Sequence, residues 1–197
     1  MKNTRMIAQA GVIAAVYAVL TFIMVQSPLG WGPVQVRLSE ALTVVACLTP
    51  AGIAGLTLGS VIANASMLAQ TGVLGMLDVV FGSLGTFLGA AWAWRHRAHP
   101  GMALLGPVVA NALIVPAYLP ILVGGATGLD FYRLDIPGLA TIGLPPGSGW
   151  LAMYLFGVCT VCIGQAIVVY GLGLPLLGVL KRLGVGSPIT RGDSGDV

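Results

Sequence analysis

Four long stretches of the chain carry no Asp, Glu, Lys or Arg, and they constrain the fold more than any motif. They cover residues 6–36, 41–77, 98–129 and 136–180 of the 197. A membrane-spanning helix needs about 20 consecutive apolar residues, so each stretch can hold at least one such helix. Only 8% of the residues are charged, against about 25% in soluble domains. The sequence therefore predicts an all-α integral membrane protein.

Turn-forming residues such as Gly30 and Pro50 divide these stretches into shorter segments. The result is a predicted bundle of six membrane helices, at residues 6–25, 38–49, 52–70, 73–95, 101–124 and 149–180. They form one membrane domain, residues 1–183, with a long external loop at 125–148. A polar tail, residues 184–197, is expected on the cytoplasmic side.

Clusters of basic residues orient the predicted helices. With six helices, the clusters near the N-terminus, between the fourth and fifth helices and after the sixth all lie on one side. In a five-helix alternative, 38–70 is one bent helix and the last two clusters move outside. Because Lys and Arg are enriched in cytoplasmic loops, six crossings with both termini cytoplasmic is the better interpretation. We expect a multi-pass protein of the prokaryotic cell membrane.

Between Arg5 and Arg95 the chain has only three charged residues, Arg37, Glu40 and Asp78. A charge at mid-bilayer costs roughly 2.5–3.5 kcal/mol on insertion scales, and such residues are usually functional. The predicted topology places all three towards the external face. We expect Glu40 and Asp78 to contact a ligand that is cationic or rich in hydrogen-bond donors. We also place Arg37 at the ligand site, where we expect it mainly to orient Glu40.

Three side-chain amides, those of Asn64, Asn111 and Gln165, lie in other apolar segments. A buried amide must find hydrogen-bond partners. A single amide in a helix usually ties that helix to a neighbour. Alternatively, the three amides line one pocket together with the two carboxylates, and the spacing leaves both interpretations open.

Aromatic residues are frequent near the same external level. Tyr118, Tyr132 and Trp150 fit the interfacial belt that is common to membrane proteins. Phe81 follows Asp78 by about one helical turn, which makes it the best candidate to stack on a planar ligand.

Small residues recur at helical spacing, for example at Ala10, Ala14 and Ala18 in the first helix. Such faces let membrane helices approach closely. Packing inside the bundle is the default interpretation, and a surface for a partner protein is the alternative.

No motif of a known enzyme class is present: the chain lacks H-E-x-x-H, a P-loop and G-x-S-x-G. We expect no catalytic activity, cofactor or metal site. The net charge of +3 reflects membrane topology, and no nucleic-acid partner is expected.

Several segments resemble the QueT family of transport proteins. They are Arg37–Leu42, Leu58–Asn64, Leu77–Leu84 and Gly171–Leu176. The resemblance implies a six-helix S component of an energy-coupling factor (ECF) transporter, which binds a queuosine precursor such as a deazaguanine base. It also implies docking of Ala10, Ala14 and Ala18 on a transmembrane T subunit that carries two ABC ATPases. ATP hydrolysis would then reorient the loaded S component, a movement called toppling.

The resemblance also affects the interpretation of Gln165. Relatives often carry an acidic residue at this position, so the neutral amide indicates either a neutral precursor or a structural role. Two functional alternatives remain open at this level: an S component for another vitamin or nucleobase, and a carrier or channel that works without ATPase subunits.

Overall fold

The computed structural model of the chain describes residues 2–26, 37–124, 132–136, 140–145 and 147–185. In the first part of the chain, α1 is followed by a 3₁₀ helix, by α2 and by the short α3. Their bounds are Lys2–Val25 for α1, Leu38–Cys47 for the 3₁₀ helix, Ala51–Ser66 for α2 and Leu68–Thr71 for α3.

A 3₁₀ turn, Gly72–Gly75, leads towards a π-helical segment at Asp78–Gly82, which continues directly into α4. The remaining helices are α4 (Ser83–Arg95), α5 (Pro100–Gly124), α6 (Trp150–Ala166) and α7 (Leu174–Arg182), with a second π segment, Ile167–Gly173, between α6 and α7. Between α5 and α6 lies an antiparallel hairpin of β1 (Arg133–Ile136) and β2 (Ala140–Gly143). This hairpin, within the expected external loop, was not predicted from the sequence.

Fewer helices reach membrane-spanning length than the sequence predicts. Among the described residues, Asn3–Val25, Pro100–Leu122 and Trp150–Arg182 are long and apolar enough to cross a membrane. A fourth span exists if α2 and residues 68–75, bent by 42°, count as one. Six crossings and the cytoplasmic location of both termini remain predictions.

The segment predicted as the second span differs most from expectation. Leu38–Cys47 is a 3₁₀ helix of ten residues, which at 2.0 Å per residue extends about 20 Å. The hydrocarbon core is about 30 Å thick. This helix is therefore too short to cross the core alone, and seven of its residues are buried by the surrounding helices.

Small residues bring the helices of the bundle into close contact. A Cβ on Gly59 of α2 would lie 2.8 Å from Tyr17 Cβ and 2.9 Å from the Ala14 carbonyl oxygen in α1. A Cβ on Gly89 of α4 would lie 2.6 Å from Pro107 Cα in α5. Because the backbones meet at these points, polar groups on several helices reach the same interior.

Candidate functional site

Glu40 is buried inside the bundle, with 1% of its surface exposed. Tyr17 Oη donates a hydrogen bond to Glu40 Oε1 at 2.5 Å. Thr43 Oγ1 and Asn111 Nδ2 donate to Oε2 at 3.5 and 3.3 Å. All three donors are neutral, and Glu40 forms no ion pair within the described part of the chain. Hydrogen bonds from neutral groups therefore hold this carboxyl group in place.

Two side-chain contacts fix the 3₁₀ helix against α1. One is the Tyr17–Glu40 hydrogen bond, and the other joins Thr21 Oγ1 to Ser39 Oγ at 2.8 Å. Ser39 is fully buried, and Thr21 is 7% exposed. Together these contacts determine where the Glu40 carboxylate lies.

Asp78 has a different environment, at the first residue of the π segment that precedes α4. Its Oδ2 lies 3.4 Å from Arg37 Nη2, and its Oδ1 accepts a hydrogen bond from Tyr118 Oη at 2.5 Å. The Arg37 and Asp78 side chains are 22% and 19% exposed. Asp78 thus has a cationic partner and is more accessible than Glu40. π-helical turns are rare and are often found at functional sites.

Hydroxyl and amide groups of α2 and α4 line the interior beside the two carboxylates. Asn64 Nδ2 donates to the Asp78 carbonyl oxygen at 2.8 Å. Ser60 Oγ lies 3.4 Å from Ser83 Oγ and 3.3 Å from Thr86 Oγ1. Ser60, Asn64, Ser83 and Thr86 are each at most 4% exposed. The interior is therefore polar along a path that begins at Asp78.

The donors to the two carboxylates lie at different levels of α5. Asn111 and Tyr118 are seven residues apart, which at 1.5 Å per residue is about 10 Å along the helix. At both levels a glycine faces these groups: Gly82 at the end of the π segment and Gly85 in α4. A Cβ on Gly82 would lie 2.8 Å from Asp78 Oδ1, and one on Gly85 would lie 2.6 Å from Asn111 Oδ1. A larger residue at Gly82 or Gly85 would displace the Asp78 carboxylate or the Asn111 amide.

Phe81 lies beside the Asp78 level. Its ring centroid is 6.0 Å from that of Tyr118, with an angle of 31° between the planes. The Phe81 side chain is 42% exposed. The prediction that this ring stacks on a ligand remains a proposal.

Gln165 is buried in α6 with 4% of its surface exposed. Its Oε1 has no hydrogen-bond partner among the described residues. Since α6 runs antiparallel to α5, with Trp150 beside Ala117 and Tyr170 beside Gly101, Gln165 lies beyond the Asn111 level, towards Gly101. No hydrogen bond joins Gln165 to either carboxylate.

The structure groups the predicted residues into two sets. Glu40 lies with Asn111 at the deeper level, and Asp78 lies with Arg37 and Asn64 at the outer level. The Arg37 guanidinium, expected mainly to orient Glu40, forms its ion pair with Asp78, and a role for it at Glu40 remains a prediction.

Sequence reasoning missed two tyrosines that bind the carboxylates. Tyr17 is 1% exposed, and Tyr118, predicted to belong to an interfacial belt, is 5% exposed. An interfacial residue would keep its hydroxyl near water, whereas both hydroxyls donate to buried or half-buried carboxylates. The available signal was that a buried tyrosine hydroxyl needs a partner.

The small stripe of α1 lies largely inside the chain. Ala14 and Ala18 are 3% and 6% exposed, and the Ala10 carbonyl oxygen would lie 2.8 Å from a Cβ on Gly55 of α2. The prediction that this stripe meets a partner protein is therefore wrong for Ala14 and Ala18, because both are buried inside the bundle. The open face of α1 flanks this stripe at Ala8, Gly11 and Ala15, which are exposed, and Gly11 has no neighbouring atom within 4 Å of a Cβ position.

A family model described as QueT transporter matches residues 7–182, from the first part of α1 to the end of α7, and this range includes every candidate site residue. The chain belongs to the QueT transporter family. No curated protein and no solved structure gave a significant match. Membership of the QueT family, together with the apolar helices, identifies a membrane transport protein with a small-molecule substrate, and an enzymatic role is not indicated.

In this QueT family member, replacing Tyr17 with phenylalanine should destabilise the folded protein by removing one hydrogen bond to Glu40. The substitution removes one charge-assisted hydrogen bond, worth about 1.5–3 kcal/mol, and leaves the ring packing in place. We expect a lower thermal midpoint of the purified protein in detergent. Tyr154→Phe is the matched control, since its hydroxyl makes only a 3.4 Å contact with a backbone carbonyl. Equal midpoints for the two variants would show that the Tyr17 hydroxyl does not hold Glu40.

Proposed function

We propose that this chain is the substrate-binding S component of an ECF importer and that it binds a deazaguanine precursor of queuosine from outside the cell. The observation that carries the proposal is the pair of carboxylates at two levels of an otherwise apolar bundle. Membership of the QueT transporter family supports a transport role. The chain binds the substrate in this proposal, and partner subunits hydrolyse ATP.

The outer level has the chemistry to recognise the edge of the base. A deazaguanine presents a ring N–H and an exocyclic amine side by side, and one carboxylate can accept both hydrogen bonds. Proteins that read isolated bases use such edge contacts together with stacking. Asp78 supplies the acceptors and Phe81 the stacking surface, while Arg37 and Tyr118 fix the carboxylate. No metal or cofactor is required for this recognition.

The open face of α1 is the proposed docking surface for the T subunit. Ala8, Gly11 and Ala15 are exposed there, and small residues let another membrane helix approach closely. This surface replaces the stripe of Ala10, Ala14 and Ala18 as the contact. The T subunit would carry two ABC ATPases, and toppling of the chain in the lipid bilayer would deliver the bound base to the cytoplasm.

Calorimetry on the purified chain tests the substrate class. A panel would contain 7-aminomethyl-7-deazaguanine, 7-cyano-7-deazaguanine, queuine, guanine and several vitamins. We expect saturable binding of at least one deazaguanine, with a dissociation constant well below that of guanine. Binding of a vitamin with no response to any deazaguanine would refute the substrate assignment and support an S component of different specificity.

A further inference from the structure

Basic side chains of several helices collect at one end of the bundle, and we propose that this end binds the headgroups of anionic phospholipids. Arg97, held against Trp94 in the connection between α4 and α5, makes the central contact with a lipid phosphate. Such binding requires only that the chain lies in a membrane, and it does not depend on the substrate.

Helix packing brings the termini of several elements to this end. Cys47, at the end of the 3₁₀ helix, places its Sγ 3.9 Å from the Ala93 carbonyl oxygen in the last turn of α4. Tyr170 Oη donates to the Gly101 carbonyl oxygen at 2.8 Å, so the segment before α7 lies beside the start of α5. Leu177 of α7 packs in the same hydrophobic core as Cys47 and Ala93. The ends of α4 and α7 and the start of α5 therefore lie close together.

The start of α1 lies at the same end. Ala10 and Ala14 of α1 are beside Gly55 and Gly59 of α2, in the same order. The two helices therefore run in the same direction, and their first residues are neighbours. Since α2 begins shortly after Cys47, the first turns of α1 reach the level at which α4 ends.

This end of the bundle carries positive charge alone among the residues that the structure describes. Its exposed basic residues, here called the basic end, are Arg5, Arg95, Arg97, Lys181 and Arg182. The acids of the described ranges lie elsewhere. Glu40 is buried, Asp78 is paired with Arg37 at the outer level, and Asp135 belongs to the hairpin between the far end of α5 and the start of α6. The basic end therefore requires anions from outside the described chain.

Aromatic side chains fix the corner between α4 and α5. Arg97 Cζ lies 4.1 Å from the centroid of the Trp94 ring, and its Nη1 donates to the Trp94 carbonyl oxygen at 2.9 Å. Trp92 Nε1 donates to the Met102 carbonyl oxygen at 2.9 Å, and the Trp92 ring stacks on His96 with centroids 4.1 Å apart. A guanidinium has five N–H donors in a planar fork, so most of them are available to a phosphate group.

A lipid headgroup fits this corner better than a soluble anion does. Trp92 is 43% exposed, and tryptophan is enriched where the bilayer meets water. Met102 and Leu105 of α5 are 49% and 42% exposed, and they provide an apolar surface for acyl chains next to the charges. Each Lys or Arg near an anionic membrane surface strengthens binding about fivefold. A lipid uses the charges and the apolar surface together, whereas a soluble anion uses only the charges.

The lipids that the intact chain retains give the first test. The purified full chain is placed in nanodiscs with equal amounts of phosphatidylglycerol and phosphatidylcholine, and bound lipids are counted by native mass spectrometry. We expect phosphatidylglycerol to be enriched at least ~10-fold, and Arg97→Gln to lower this enrichment at least ~3-fold. Arg133→Gln removes the same charge from the hairpin and is the matched control. Equal retention of both lipids by the wild type, or an equal loss in the two variants, would overturn the proposal.

A second variant tests whether the geometry of the corner matters. Trp94→Leu keeps every charge but removes the ring that holds the Arg97 guanidinium, and it should lower the enrichment at least ~2-fold. Unchanged enrichment would overturn the central role of Arg97.

Two further conditions identify the source of the anion. Phosphatidylglycerol should stay bound in millimolar inorganic phosphate, and its release would assign the corner to a soluble anion and overturn the lipid assignment. The enrichment should also persist when the chain is assembled with its transport partners. Its loss there would show that a protein occupies the basic end and would overturn the proposal.

Discussion

Replacing Asp78 with asparagine should weaken binding of a deazaguanine by about 10²- to 10⁴-fold. The base edge offers two adjacent donors, and each hydrogen bond to a charged acceptor is worth about 1.5–3 kcal/mol. Asparagine presents one acceptor and one donor, so one of the two contacts becomes unfavourable. The dissociation constant is measured by calorimetry on folded, detergent-purified protein.

Two variants control this prediction. Asp196→Asn makes the same chemical change in the tail and should not alter affinity. Phe81→Leu removes the proposed stacking surface without touching the carboxylate, and it should cause a smaller loss than Asp78→Asn. Unchanged affinity in Asp78→Asn would reduce Asp78 to a structural partner of Arg37 and Tyr118.

Replacing Gly11 with leucine should abolish ATP-dependent uptake while binding by the isolated chain stays within about twofold of wild type. Gly11 is exposed in α1 with no atom within 4 Å of a Cβ position, so the fold tolerates the larger side chain. A partner helix that packs closely on α1 does not tolerate it, because small residues set the distance between membrane helices. Uptake of labelled base is measured in vesicles that contain the complete transporter.

Gly178→Leu in α7 is the matched control, since Gly178 is also exposed and also lacks neighbours at its Cβ position. It should transport normally. Normal transport by Gly11→Leu would exclude this face of α1 as the docking surface. Uptake in vesicles without ATPase subunits would instead support a carrier or channel that works alone.

The sequence predicted apolar helices and drew attention to polar residues that the structure brings into contact, because charges and amides inside long apolar runs are conspicuous. Glu40 and Asn111 do meet, as do Arg37 and Asp78. Which residues pair was not predictable, since pairing depends on the rotation and register of helices. Small residues make several registers sterically possible, and only the packed structure distinguishes them.

Local backbone geometry was the other feature that the sequence could not give. Leu38–Cys47 and Asp78–Gly82 have ordinary helical composition, but they form a 3₁₀ helix and a π segment. Neither segment contains a proline or another residue that would mark the departure from an α-helix. Which face of α1 is exposed was likewise not predictable, because small residues occur on more than one side of this helix. Packing inside the bundle buries the side that carries Ala14 and Ala18.

The most direct test of the account is an experimental structure of the purified chain with a deazaguanine base bound. The base edge should lie within hydrogen-bond distance of the Asp78 carboxylate, about 2.7–3.2 Å. A base bound elsewhere, with the Asp78 carboxylate contacting only Arg37 and Tyr118, would contradict the account.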